Sequence, residues 1–155
     1  MTNNTQPLPP LVRLLAGLRD AVGDELFAGL SARGFAEIRP AHGCVFGNID
    51  DQGTRLTGLA ERSGLTKQSV GEAVADLERL GFVERVPDPA DGRAKIIRLT
   101  REGVEAQAAA EEIFAAIEAR YAAAIGAERY AEFRDTLVLL HGLTRASATP
   151  AARAA

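Results

Sequence analysis

The chain has 155 residues, 46% hydrophobic and 25% charged, with net charge −3, the composition of one ordinary globular domain or one dimerising protomer. A single cysteine, Cys44, excludes an internal disulfide framework and cysteine-based zinc spacing, and His42 and His141 are too few and too scattered for a metal or catalytic constellation. No run of about eighteen apolar residues, no signal-peptide pattern, no G-x-S-x-G, no H-E-x-x-H and no glycine-rich phosphate loop occurs, so the expectation is a cytoplasmic protein that is not an enzyme, with no cofactor, metal or membrane partner.

Residues 1–8 are polar and proline-punctuated and are expected to be disordered. Pro9-Pro10 suits a helix start. From there Leu11, Leu14, Leu15, Leu18, Val22, Leu26 and Leu30 form a helical apolar stripe that Gly34 closes, giving a helical segment over 9–36. Glu37 to Pro40 is a connector. Pro40 opens a second helix carrying Cys44, Val45 and Ile49 and ending at Asp50 to Gly53; its glycines make it weak by propensity, so it needs tertiary packing. Cys44, among apolar residues, reads as a buried inert thiol. His42, two residues away, falls on another helix face and would not activate it.

Residues 54–100 read as helix, tight turn, helix, strand, turn, strand. Arg55-Leu56-Thr57 can add a short third strand. The first helix spans Thr57 to Arg62, with Thr57 as N-cap and Leu56, Leu59 and Ala60 facing inward. Ser63-Gly64 stops it, because glycine takes the left-handed C-cap conformation without steric cost. Leu65 is expected to plug the turn and Thr66 to cap the second helix, whose Val70, Val74, Leu77 and Leu80 make one narrow stripe ending at Gly81. Lys67, Gln68, Ser69 and Glu72 crowd its opposite, exposed side. Two short helices around a glycine turn are a helix-turn-helix signature, shared with many proteins that bind no DNA. The alternation of Phe82 to Val86 is that of a half-buried strand, and Ala94 to Leu99 is a second β-prone run. Between them Pro87 to Arg93 reads as a hairpin loop too long for a two-residue turn. A helix-turn-helix followed by a hairpin is a winged helix.

Beyond Thr100, Arg101 to about Gly126 reads as a long Ala- and Glu-rich helix with Ile113, Ile117, Tyr121 and Ile125 every four residues and Phe114 alongside. A further helix runs from about Glu128 to His141 with Tyr130, Phe133, Leu137 and Leu140 on one side. The segment 101–145 is thus helical, and the small-residue tail 146–155 is expected to be disordered. Striped helices flanking a small domain need something to cover them. The compact solution is a dimerisation bundle in which the N-terminal helix and the last two helices of two chains interlock.

The segment LTKQSVGEAVADLERLGFVERVPDPADGRAKIIRLTREG closely resembles the winged helix of the MarR family of bacterial transcriptional regulators, most specifically in the wing DPADGR and the strand ending in LT before REG. The resemblance spans Leu56 to Gly103. It implies a mainly α fold with a small β-hairpin wing: a winged helix-turn-helix over 37–100 between the dimerisation helices. It further implies a homodimer, most simply a repressor, that binds double-stranded DNA at a near-palindromic operator and is released by a small aromatic or anionic effector.

Within that frame Gln68 and Ser69 suit base edges, since glutamine can bond adenine in bidentate fashion. Thr66 and Lys67 suit phosphate at a helix N-terminus. Glu72 departs from many family members; it could accept from cytosine N4 or repel a wrong register. Arg93 at the wing tip suits a narrow minor groove, Asp91 can pin that guanidinium or the loop backbone, Asp88 can bond turn amides, and Arg85 and Lys95 are phosphate candidates. His42 lies near where relatives place an effector pocket. The bland alternatives are a solvated polar face and an ordinary hairpin with surface charges. Residues 54–100 hold eight Lys or Arg against seven acidic side chains, the only net-positive stretch of an acidic chain. That balance leaves a second function open: a winged-helix protein–protein module without DNA binding.

Overall fold

A computed structural model of the chain describes residues 9–148. In order, the elements are α1 (Leu11–Ala32), a 3₁₀ turn (Pro40–His42), α2 (Gly43–Phe46), β1 (Thr54–Arg55), α3 (Leu56–Ser63), α4 (Lys67–Arg79), β2 (Val83–Asp88), β3 (Asp91–Leu99), α5 (Arg101–Ile125) and α6 (Ala127–Ala148). Two compact units divide inside α5, between Ile113 and Phe114.

The first unit is a winged helix preceded by α1. Its core is the stripe expected of α4: Val70, Val74 and Leu77 are fully buried, and Leu59, Val45, Phe82, Val83 and Ile97 close around them. Phe35 and Phe46 both meet Phe82 edge-on, with ring centroids 6.2 and 6.4 Å away. The antiparallel sheet has the order β1-β3-β2. β1 pairs Thr54 with Ile97 and Arg55 with Ile96, so the third strand forms one residue earlier than the sequence pattern places it.

Two further expectations are corrected. Because the extended backbone ends at Arg55, α3 begins at Leu56; Thr57 lies inside the helix, and the N-cap is Arg55, which makes no side-chain cap bond. Leu65 does not plug the turn. Gly64 adopts φ +69°, and the chain leaves it with Leu65 about half exposed, while Leu59, Ala60 and Val70 seal the core beneath. The helix opened by Pro40 is also shorter than expected. It is one 3₁₀ turn and four α-helical residues, ended where Gly47 N–H bonds the Gly43 carbonyl at 3.0 Å, with Ile49 beyond it. Glycine at both ends gives such a segment little intrinsic helix propensity.

The wing is tighter than its sequence suggests. The strands run to Asp88 and from Asp91, leaving Pro89-Ala90 as a two-residue connection. The length is absorbed instead by a slip in register: Pro87 pairs with Lys95 but Asp88 with Asp91, so Gly92, Arg93 and Ala94 are extra residues on β3. Such a bulge bends and twists its strand.

The wing root is joined to α5 by Thr100. Its N–H bonds the Phe82 carbonyl at 3.0 Å, its hydroxyl donates to the Gly81 carbonyl at 2.6 Å, and it accepts from Gly103 N–H at 3.1 Å. A Cβ at Gly103 would run into the Phe82 carbonyl oxygen, so only glycine fits there. The buried side of α5 in this unit is Ala106, Ala109 and Ile113.

In the second unit Arg134 and Glu118 pair at 2.7 Å and Tyr130 lies against Phe133. Ile117 is buried, but Ile125, Phe133, Val138, Leu139, Leu140 and Leu143 are exposed. In the first unit the α1 residues Leu11, Val12, Leu14, Leu15 and Leu18 are exposed as well. α6 is longer than expected and continues through 146–148, the start of the stretch assigned to a disordered tail. The rest of that tail and residues 1–8 lie outside the described residues. No helix among the described residues is long and apolar enough to cross a membrane.

Candidate nucleic-acid interface

Burial decides which way α4 faces. With Val70, Ala73, Val74 and Leu77 turned into the core, Thr66, Lys67, Gln68, Ser69 and Glu72 are all exposed at its N-terminal end. Thr66 caps the helix as expected: its Oγ1 accepts the Ser69 N–H at 3.1 Å and lies 2.8 Å from the Ser69 hydroxyl. The remaining first-turn amides carry the positive end of the helix dipole. Gln68 Nε2 donates to Glu72 Oε1 at 3.1 Å, one turn along. Glu72 therefore has a partner within the helix that its sequence position left undecided. Gln68 keeps its Oε1 and its second amide hydrogen for another group.

Of the four expected phosphate-type cations, three have no side-chain partner among the described residues: Lys67 on α4, and Arg93 and Lys95 on β3, all exposed. Arg85 is different. Its Nε donates to Glu78 Oε2 at 3.0 Å, and it is half-buried on the strand beside α4. The two wing aspartates shape the loop: Asp88 accepts the Ala90 N–H at 2.8 Å and Asp91 the Arg93 N–H at 3.1 Å. Asp91 thus pins the backbone of Arg93 rather than its guanidinium. The cation that meets the aspartates is Arg55, whose Nε donates to Asp88 Oδ2 at 2.6 Å and whose Nη2 is 3.7 Å from Asp91 Oδ2. The Ala90 amide, then Arg55, hold the Asp88 carboxyl below its usual range. Sequence reasoning did not single out Arg55; its only signal was the suggestion of a strand at that position.

A second missed residue is Asp76, on α4. It pairs with Arg79 at 2.6 Å and with Arg39, and its Oδ2 is 2.9 Å from His42 Nε2. Arg79, then His42, hold its carboxyl well below the usual carboxylate range. The Arg39 N–H donates to His42 Nδ1 at 3.1 Å, which leaves Nε2 as the donor to Asp76. His42 is buried, with both ring nitrogens satisfied. It forms part of the wall of a cavity of about 340 Å³ together with Arg39, Cys44, Leu65, Glu72 and Asp76. Cys44 is half-buried rather than buried; its thiol donates to the Ala41 carbonyl at 3.2 Å, and burial pushes its pKa up, away from a reactive thiolate.

The comparisons with known proteins agree with this geometry. The family model described as MarR family matches residues 36–94. The transcriptional regulator HosA of Escherichia coli O127:H6 is 30% identical over 108 residues, covering 67% of this chain and 80% of that protein. Among solved structures, the transcriptional regulator Tm0710 from Thermotoga maritima is 28% identical with a TM-score of 0.58, covering 89% of this chain and 96% of that one. CouR from Rhodococcus jostii RHA1, in a structure bound to p-coumaroyl-CoA, is also 28% identical, with a TM-score of 0.64 and coverage of 80% and 86%. A winged helix with an exposed polar α4 N-terminus, matched by this family model and these regulators, assigns the protein: the chain belongs to the MarR family of transcriptional regulators.

Proposed function

We propose that the chain acts as a homodimer that binds a near-palindromic operator, represses from it, and is released by a small effector. Each protomer sets the N-terminal face of α4 in a major groove. Gln68 and Ser69 read base edges there, while Thr66 and Lys67 meet phosphate. Arg93 enters a flanking minor groove and Lys95 meets the backbone beside it. Arg85, already paired with Glu78, contributes less. The observation that carries this reading is that Lys67 at the start of α4 and Arg93 and Lys95 on the wing are exposed and open, while the wing aspartates Asp88 and Asp91 face Arg55.

The dimer reading rests on the uncovered apolar rows of α1 and α6. Exposed apolar surface of that extent is a mark of an interface, and helices from two copies can cover one another as a bundle. Two α4 helices would then lie about one helical turn of DNA, ~10 bp, apart. The effector reading is supported by CouR, whose structure holds p-coumaroyl-CoA, and by the presence of a cavity beside α4. His42 is closed within its own hydrogen bonds, so it would shape that cavity more than contact a ligand. An effector acts only by binding one α4 spacing more tightly than another.

The test is selection of bound duplexes from a random DNA pool, followed by binding across a salt series. The expected result is a site of two inverted half-sites and a steep fall of affinity with salt. Absence of any salt-dependent binding would favour the protein–protein module, the reading that the acidic net charge keeps in view.

A further inference from the structure

Arg55 stands where its chemistry does nothing for the helix it precedes. A helix N-cap wants an acceptor for the free amides of the first turn, and arginine carries only donors. Arg55 is the N-cap of α3 and makes no cap bond. The side chain instead reaches the far end of β2, where Nε bonds Asp88 Oδ2 at 2.6 Å, and it lies 3.7 Å from Asp91 across the turn. Its backbone is fixed for this by pairing with Ile96 on β3.

The wing needs those aspartates, because they bond the amides of Ala90 and Arg93 and so hold the bulged turn. Each is also an anion close in sequence to Arg93. Brought toward a phosphate backbone, two bare carboxylates would oppose the attraction of Arg93 and Lys95.

We propose that Arg55 is a positioning residue for DNA binding, which offsets the charge of the loop-shaping aspartates, Asp88 foremost, from the β1 edge of the sheet so that Arg93 and Lys95 dominate the field DNA meets. The proposal rests on the DNA-binding reading above. It assigns Arg55 no contact with DNA: the residue acts through Asp88 and Asp91. Its separable content is that the charge of Asp88 becomes harmful once Arg55 is gone, whereas the shape supplied by Asp88 stays useful.

The experiment uses the 155-residue chain and the duplex selected by the wild type, with affinity, salt dependence and thermal stability read on Arg55→Gln, Arg55→Lys and the double variant R55Q/D88N. Asparagine keeps an acceptor for the Ala90 amide and removes the charge. R55Q should bind about fivefold more weakly at low salt, the effect of one uncompensated carboxylate per wing roughly 8 Å from a phosphate in a near-aqueous dielectric, taken over two wings. The loss should shrink as salt rises. R55Q/D88N should recover most of the loss, and R55K, which keeps the charge, should stay near wild type. Unchanged affinity in R55Q overturns the proposal. So does a loss that D88N fails to restore and that tracks a fall in Tm, since Arg55 would then be a fold residue only. Failure of the wild type to bind any selected duplex would instead remove the DNA-binding reading itself.

Discussion

Gln68→Ala separates base reading from mere exposure. Gln68 lies on the outer face of α4, and its amide nitrogen spends one hydrogen on Glu72 Oε1 at 3.1 Å. The second hydrogen and Oε1 remain as a donor–acceptor pair that matches N7 and N6 of adenine. Truncation should therefore cost about 1–3 kcal/mol per half-site on the preferred duplex and much less on duplexes changed at the contacted base pair. Glu72→Ala should give a smaller loss of the same kind, since it frees the amide to rotate. In the Gln68→Ala background it should add nothing at that base pair, a coupling on the order of 0.5 kcal/mol or more. Alanine is the better helix former, so Tm should hold or rise slightly. The assay is equilibrium binding to the selected operator and its single-base variants, with both substitutions alone and combined. Equal weakening on every duplex, with base preference intact, would refute a reading role for Gln68 and leave it an ordinary polar surface residue.

Other outcomes follow from the same geometry. Arg93→Ala should weaken binding to all sequences alike and reduce the salt slope by about one per protomer, measured by titration over a salt series; an unchanged slope would place the wing away from DNA. Thr66→Ala removes the bond to the Ser69 amide and should cost about 1 kcal/mol, seen as a drop of a few degrees in Tm. Asp76 has a depressed folded pKa, so its stabilisation is complete above the unfolded carboxylate value near 3.9 and is lost as pH falls through the lower folded value. Asp76→Asn should accordingly flatten the fall of Tm with pH below about 4. Leu14→Glu with Leu18→Glu places charge on an exposed α1 row and should give a folded monomer in sedimentation; a persistent dimer would move the interface elsewhere.

Periodicity made much of this architecture legible. The α4 stripe, the Gly64 stop and the Thr66 cap are local features, and each appears where the pattern puts it. What was misplaced depended on partners distant in sequence. Thr57 looked like a cap because threonine favours that role, but pairing of Arg55 with Ile96 set the start of α3 instead. The wing loop looked long because Pro87 to Arg93 lacks alternation, whereas a strand can absorb three residues in a bulge. Lys67, Gln68, Ser69, Glu72 and Arg93 could be picked out because exposed polar residues at a helix start and beside a hairpin turn stand out in the sequence, although Arg93 lies in the β3 bulge rather than at the wing tip. Arg55 and Asp76 could not, since their partners Asp88 and His42 are more than thirty residues away and are reached only after folding.

The contact of Gly103 with the Phe82 carbonyl has a mechanical consequence. With no side chain between them, and with Thr100 bonded to both Gly81 and Phe82, the first turn of α5 and the root of β2 are joined as by a weld rather than a hinge. A torque applied to the beginning of that helix must pass undiminished into the hairpin, and compliance has to be found elsewhere along the chain. Gly103→Ala would insert a spacer into the joint. It should show as faster amide exchange at Thr100 and Gly103 before any change at the tip of the hairpin.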